Sequence, residues 1–297
     1  MTILLRLNTV TDLTHHTLIE LEAIEAEAWV QLQRSLPPDV HARLGIDVRR
    51  RGDSVLFIAS GTRELAINKV MGLGLGSPLT ERALDEVVAE YARAAVERFI
   101  IQWHPSAQPA AAVDWFAARG FVLISHIAKM CRPLGVSDAR QALASPFLID
   151  EISVDDAAIF EEVVARSLGV PVGLEAGIRS TIGQPGWRYY LARDAGRPIA
   201  GGASYVRGEH AWLGFGATIE SERRRGAQTA LLARRMRDAA ADGCLWVSAD
   251  TLVETPTRPN QSYRNMRRMG FAAAYERPNF VLDTSATTAT SPPGQAG

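Results

Sequence analysis

Arg223, Arg224 and Arg225 stand in a row against Gly226 and lead straight into GAQTALLARRMRDAA, where Leu232, Met236 and Ala239 recur at helical spacing. Just upstream, HAWLGFGAT reads as a strand. A chain that turns from strand through glycine into helix leaves the N–H groups of the helix's first turn without partners, converging on one spot that attracts anions. Gly226 lets the backbone approach an anion with no Cβ in the way, and the guanidinium groups add charge that reads no base sequence. A pyrophosphate suits such a cradle. A basic run can equally be a solvated helix face or a nucleic-acid footprint, so the rest of the chain must decide.

The chain has 297 residues with a formal charge of −1 and a pI near 6.6, which argues against a surface built to hold nucleic acid or an anionic membrane. Only Lys69 and Lys129 among the 32 basic residues are lysines, so arginine clusters arise here partly from composition. No aromatics interleave with the arginines in the manner of a single-strand binding groove. Cys131 and Cys244 offer neither a metal-ligand spacing nor a disulfide framework, and no metal site is expected. The opening MTILLRLNTVTDL is too short and polar for a signal peptide, and no apolar run reaches the ~18 residues of a membrane span. The expected setting is the cytoplasm, with no nucleic-acid or membrane partner.

The elements that would position the cradle occur twice. Residues 14 to 35 read as a helix, VLFIAS and AINKVMGLGLG as strands, 79 to 96 as a helix, RFIIQW as a strand, 109 to 118 as a helix before Gly120-Phe121, then a strand to Arg132. The second half runs from FLIDEI through a helix from Asp155, the strands YYLARD, PIAGGASYV and HAWLGFGAT, the helix after Gly226, the strand CLWVSAD, a helix near 260 to 269 before Gly270-Phe271, and the strand RPNFVLD. Gly76 and Gly226 lie 150 residues apart, as do Gly120 and Gly270, which favours a duplicated unit. The reading is an α/β chain with domains at 1–135 and 147–283, a linker at 136–146 and a disordered tail at 284–297.

Arg223-Arg224-Arg225-Gly226-Ala227-Gln228, in this setting, resembles the acyl-CoA-binding signature Q/R-x-x-G-x-G/A of the GNAT superfamily of N-acyltransferases, with Gln228 standing where that pattern has glycine or alanine. PNQSYRNMRRMGF, residues 259 to 271, resembles the GNAT helix N-x-x-A-x-x-L-Y ahead of Gly-Phe, with Ser262 at the small position and Met266 in place of the tyrosine. The resemblance implies two tandem GNAT-like domains, the N-terminal one degenerate, each a mixed, mostly antiparallel sheet flanked by helices. It implies acetyl-CoA as co-substrate, held by Gly216, Ala217 and Thr218 of a bulged strand, by Arg223, Arg224, Arg225, Gly226, Ala227, Gln228 and Thr229 of the cradle, and by Asn260.

The implied chemistry is direct attack of a primary amine, on a small molecule or peptide, upon the thioester. An amine with an ordinary pKa of ~10 must first lose a proton, and Asp250 and Glu254 at a strand end are candidate acceptors. Tyr263, one turn before Met266, is the candidate donor to the departing thiolate. The alternative is a catalytically silent acyl-CoA-binding sensor or scaffold. The sequence leaves the acceptor, the acyl chain and the oligomeric state open.

Overall fold

The computed structural model describes residues 13–141, 145–170 and 173–284. The opening segment read above and the expected tail from residue 285 on lie outside the described residues, as do 142–144 of the linker. Along the chain the elements are α1 (His15–Arg34), α2 (Pro38–Leu44), β1 (Ile46–Arg51), β2 (Ser54–Ala59), β3 (Lys69–Met71), α3 (Glu81–Arg93), β4 (Arg98–Gln102), α4 (Ala112–Ala118), β5 (Val122–Pro133) and α5 (Val136–Ala139). They continue with β6 (Leu148–Glu151), α6 (Ala157–Phe160), α7 (Arg166–Leu168), α8 (Leu174–Thr181), β7 (Trp187–Asp194), β8 (Arg197–Arg207), β9 (His210–Thr218), α9 (Ala227–Ala241), β10 (Trp246–Leu252), α10 (Gln261–Arg268) and β11 (Ala272–Asp283).

Two compact units form: a larger one from the chain up to Pro37 together with Ile127–Glu276, and a smaller one from Pro38–His126 together with the chain from Arg277 on. In the larger unit the strand order is β5-β10-β9-β8-β7-β6, where β5 takes part through its Ile127–Pro133 end. Every pairing is antiparallel except β9 with β10. In the smaller unit the order is β1-β2-β3-β4-β11, with β11 taking part through Asn279–Asp283. Only β3 with β4 is parallel there. Each unit is a mixed, mostly antiparallel sheet with helices, as expected, but the units do not follow the bounds 1–135 and 147–283: the chain up to Pro37 and from Ile127 to Glu276 goes with the larger unit, and the chain from Arg277 on with the smaller.

The apolar spacing of α9 explains its burial: Leu232, Met236 and Ala239 pack with Met130, Leu213, Val247, Ala249 and Phe271. In the smaller unit, Leu84, Val87 and Tyr91 of α3 cover Phe99 and Ile101 of β4 together with Phe116, Phe121 and Phe280. Burying such side chains stabilises each unit by about 1.5–3 kcal/mol per large aliphatic or aromatic group. Both Gly-Phe dipeptides close a helix in the same way. Phe121 N–H donates to Phe116 O and Phe271 N–H donates to Met266 O, each at 3.0 Å.

Between Ala157 and Leu168 the helix is broken by a π-helical turn, Glu161–Ala165, which joins α6 to α7. Such turns shift the direction of the residues that follow and recur at functional sites. Here the residues that follow are Ser167 and Leu168, which reach the cleft described next.

Candidate functional site

β9 and β10 run side by side from His210–Trp246 to Leu213–Ala249, and their pairing then ends. The cause lies in β9. Its register against β8 slips by one residue, Gly201 facing Ala217 but Ala203 facing Gly214, so Phe215 and Gly216 bulge opposite Gly202. Phe215 sits at φ +52°, a left-handed backbone uncommon for a bulky residue. Past this point β9 follows β8 while β10 follows β5, and a cleft opens between them.

The cleft has two connected parts. The outer part, about 980 Å³, has Gly216, Ala217, Thr218, Arg223, Arg224 and Gly226–Thr229 on one wall, and residues 259–262, Asn265 and Arg268 on the other. The inner part, about 550 Å³, shares Gly216, Gln228, Asn260 and Ser262 and continues to Trp29, Trp212, Phe215, Arg235, Asp250 and Arg258.

The cradle is built by what it lacks. Gly226 precedes α9 at φ +95°, contributes no side-chain cap, and a Cβ there would project into open space. The first helical bond runs from Ala230 N–H to Gly226 O at 3.1 Å, so the N–H groups of Ala227, Gln228 and Thr229 find no acceptor within the helix. The three arginines divide their work. Arg223 and Arg224 line the cleft, Arg224 in a left-handed conformation with no ion-pair partner among the described residues. Arg225 turns away, donating to Asp194 at 2.6 Å and to Glu222 while lying over the Phe147 ring at 5.5 Å. Glu222 also accepts from Arg197 at 2.7 Å, and these hydrogen bonds, Arg197's first, hold its carboxyl below the usual range. Arg225 is therefore the loop's anchor. It is the one member of the expected acyl-CoA set that does not line the cleft.

Asn260 caps α10, its Oδ1 accepting from Ser262 and Tyr263 N–H, while its Nδ2 donates to Thr251 Oγ1 at 2.8 Å and Leu252 O at 2.6 Å. This ties the far wall to the end of β10. Asp250 lines the inner cleft, with Lys129 Nζ 2.8 and 3.0 Å from its two oxygens and Trp212 Nε1 donating at 2.8 Å. Lys129 also meets Glu25 of α1 at 2.5 Å. Glu254 accepts from Arg264 Nε at 2.5 Å and from Asn260 N–H at 3.3 Å, and is not among the cleft-lining residues. Tyr263 packs against the core around Met266 and Phe271, outside both parts of the cleft, whereas Met266 lines the inner part.

Neither cysteine offers a nucleophile. Both are buried, and desolvation pushes the Cys131 thiol up to about 12 and the Cys244 thiol to about 11, so each stays protonated at neutral pH.

Several cleft residues carry no signal in the sequence. Trp29 comes from α1, nearly two hundred residues before β9, and its ring meets Phe215 edge-on at 6.1 Å. Arg235 sits on the core face of α9, where periodicity calls for an apolar residue. Its hint is Gly202 on β8, where the guanidinium takes the place a Cβ would need.

No protein-family model matches the sequence, and no curated protein matches it. Solved structures do match in fold. The GCN5-related N-acetyltransferase from Kribbella flavida superposes with a TM-score of 0.62 at 14% identity, over 89% of this chain and 94% of that one. A tandem GNAT protein from the clavulanic acid biosynthesis pathway gives 0.58 at 14% identity, over 91% and 95%. The GCN5-related N-acetyltransferase from Sphaerobacter thermophilus gives 0.56 at 16% identity, over 93% and 94%. The fold of this chain is the tandem GNAT fold.

Proposed function

We propose that the larger unit binds acetyl-CoA and transfers its acetyl group to a primary amine of a small molecule or peptide. The observation that carries this reading is the junction of two features in one cleft: a bulge that parts β9 from β10, and an uncapped helix start flanked by Arg223 and Arg224. The N–H groups of α9's first turn, Arg223, Arg224 and Arg268 suit the phosphates of the donor, since anions are stabilised where helix dipole and guanidinium charge coincide. The N–H groups of Gly216, Ala217 and Thr218 suit its carbonyl-bearing end.

The reaction forms one N–C bond and breaks one C–S bond. The amine nitrogen attacks the thioester carbon, the oxygen takes up negative charge beside the bulge, and the thiolate leaves as the carbonyl re-forms, then takes up through solvent the proton the amine has lost. The proton lost by the amine goes to Asp250, the carboxylate that lines the inner cleft. Glu254 supports the far wall through Arg264 and Asn260. A thiolate with a conjugate pKa near 8.5 leaves tolerably at neutral pH, so no phenol at the position of Met266 is required.

A second reading, an acyl-CoA sensor, draws support from Asp250, whose two oxygens are already engaged by Lys129 and Trp212. One experiment separates the two. Calorimetry with acetyl-CoA tests binding, and release of free thiol across a panel of amines and N-terminal peptides tests transfer. Binding with no thiol release for any acceptor selects the sensor, and absence of binding removes both readings.

A further inference from the structure

Arg235 is 2% exposed and lies within the larger unit, yet no carboxylate pairs with it among the described residues. Its partners are backbone carbonyls: Nε donates to Leu231 O at 3.1 Å, and Nη1 donates to Ala203 O at 3.1 Å and Gly214 O at 3.3 Å. Those last two residues face each other where the register of β8 and β9 slips. The guanidinium therefore spans the two strands at the point where the ladder between them is interrupted. Gly202 makes the space: a Cβ there would fall 2.8 Å from Nη1, and Arg235 lines the inner cleft beside Gly216 and Gln228.

A buried cation without a counter-charge is costly, and a chain that keeps one at the apex of a bulge holds positive charge there for a purpose other than stability. Burial pulls this guanidinium down to about 10, so it remains protonated at neutral pH. Donation to the Gly214 carbonyl polarises the peptide that continues into Phe215, and in a trans peptide the N–H points opposite to the carbonyl. The charge thus acts on the bulge through its own backbone.

Resting on the acyl-CoA reading above, we propose that Arg235 is a positioning residue for the donor's carbonyl: it fixes the β9 bulge from which the Gly216, Ala217 and Thr218 N–H groups meet the thioester oxygen, and its charge polarises the Phe215 N–H where that bulge begins. Its contribution is selective for a carbonyl-bearing donor and indifferent to the nucleotide and pantetheine portions.

The test compares two ligands by calorimetry, acetyl-CoA and S-ethyl-CoA, in which a methylene replaces the carbonyl. Wild type should favour acetyl-CoA by roughly tenfold, the scale of one hydrogen bond strengthened by charge. Arg235→Met should bring the ratio to about one while leaving S-ethyl-CoA affinity unchanged. A purely structural role predicts equal losses for both ligands, and that result overturns the proposal, as does a ratio retained in the variant or absent in wild type. If Arg235→Met does not fold, Gly202→Ala carries the same test, because it crowds the guanidinium without removing its charge. Wild type that binds neither ligand refutes the acyl-CoA reading itself, a distinct outcome.

Discussion

Helices α9 and α3 follow the same succession of strands in their two units, and they begin in opposite ways. α9 opens on Gly226 with no side chain to cap it, beside a cleft of about 980 Å³ with Arg223 and Arg224 at its edge. α3 opens on Thr80, whose hydroxyl accepts from Ala83 N–H at 3.1 Å. The glycine of its preceding turn, Gly76, lies against the carboxylate of Asp53, which occupies the place a Cβ would take. The neighbouring cavity is about 190 Å³. One helix start carries a side-chain cap, and the other has none. On the acyl-CoA proposal, the difference teaches that ligand capacity resides in the polar groups a fold leaves unsatisfied.

The largest effect should come from breaking that contrast at its centre. Gly226→Asp forces a side chain into left-handed backbone and puts a carboxylate in the cradle, so CoA affinity should fall at least ~100-fold in calorimetry, like charges in contact costing several kcal/mol. Gly76→Ala, in contrast, crowds Asp53 and should lower the melting temperature with CoA affinity unchanged. Equal CoA losses in both variants would erase the distinction between the two helix starts.

Within the arginine row the contrast sharpens further. Arg224→Ala and Arg223→Ala should each weaken CoA binding by about 1–2 kcal/mol, roughly tenfold, as for a lost charge-assisted hydrogen bond. Arg225→Ala should cost less affinity and more thermal stability, because it releases Glu222 and Asp194. A larger affinity loss at Arg225 than at Arg224 would show that the anchor and the ligand-facing residues have been interchanged.

On the smaller unit, Thr80→Ala should cost about 1 kcal/mol of stability through loss of the capping hydroxyl, and Thr80→Gly only a few tenths, since a bare N-cap leaves the freed N–H open to water. Denaturant titration of the two variants gives the difference directly.

The smallest expected effect concerns pH. The Glu222 carboxyl titrates below its ordinary 4.5, so its contribution to stability is complete above that pH and disappears as pH falls through the depressed folded value. Glu222→Gln should therefore flatten the acid limb of the stability profile below about pH 4.5 and leave the neutral region's slope unaltered. A parallel acid limb in the two proteins would mean that Arg197 and Arg225 do not favour the ionised form.

How much of this was legible in the sequence depends on the range over which the physics acts. Local signals served well: the strand-glycine-helix succession at Gly226 and the two helix-closing Gly-Phe pairs are decided within a few residues. A row of three identical arginines could not disclose which one turns inward, because Asp194 and Glu222 decide that from outside the row. β1 escaped notice because IDVRRR alternates poorly; its arginines find Glu86 and Glu90 of α3, far along the chain. The broken helix over 157–168 and the left-handed Phe215 have no compositional mark at all. Glu25 and Trp29 reach the site only because α1 joins the larger unit, a long-range packing outcome.

The long strands β5 and β11 each begin in one unit and end in the other, and this bears on how the chain can be cut. β10 is held on one side by β9 and on the other by Ile127–Pro133 of β5, along all seven of its residues. A gene fragment that starts at the joint and keeps only the C-terminal half omits that partner. It would present a bare seven-residue β10 edge, and such edges recruit strands from neighbouring copies. Expression of the isolated half should accordingly yield aggregates, and supplying residues up to 135 as a separate polypeptide should restore solubility by strand complementation.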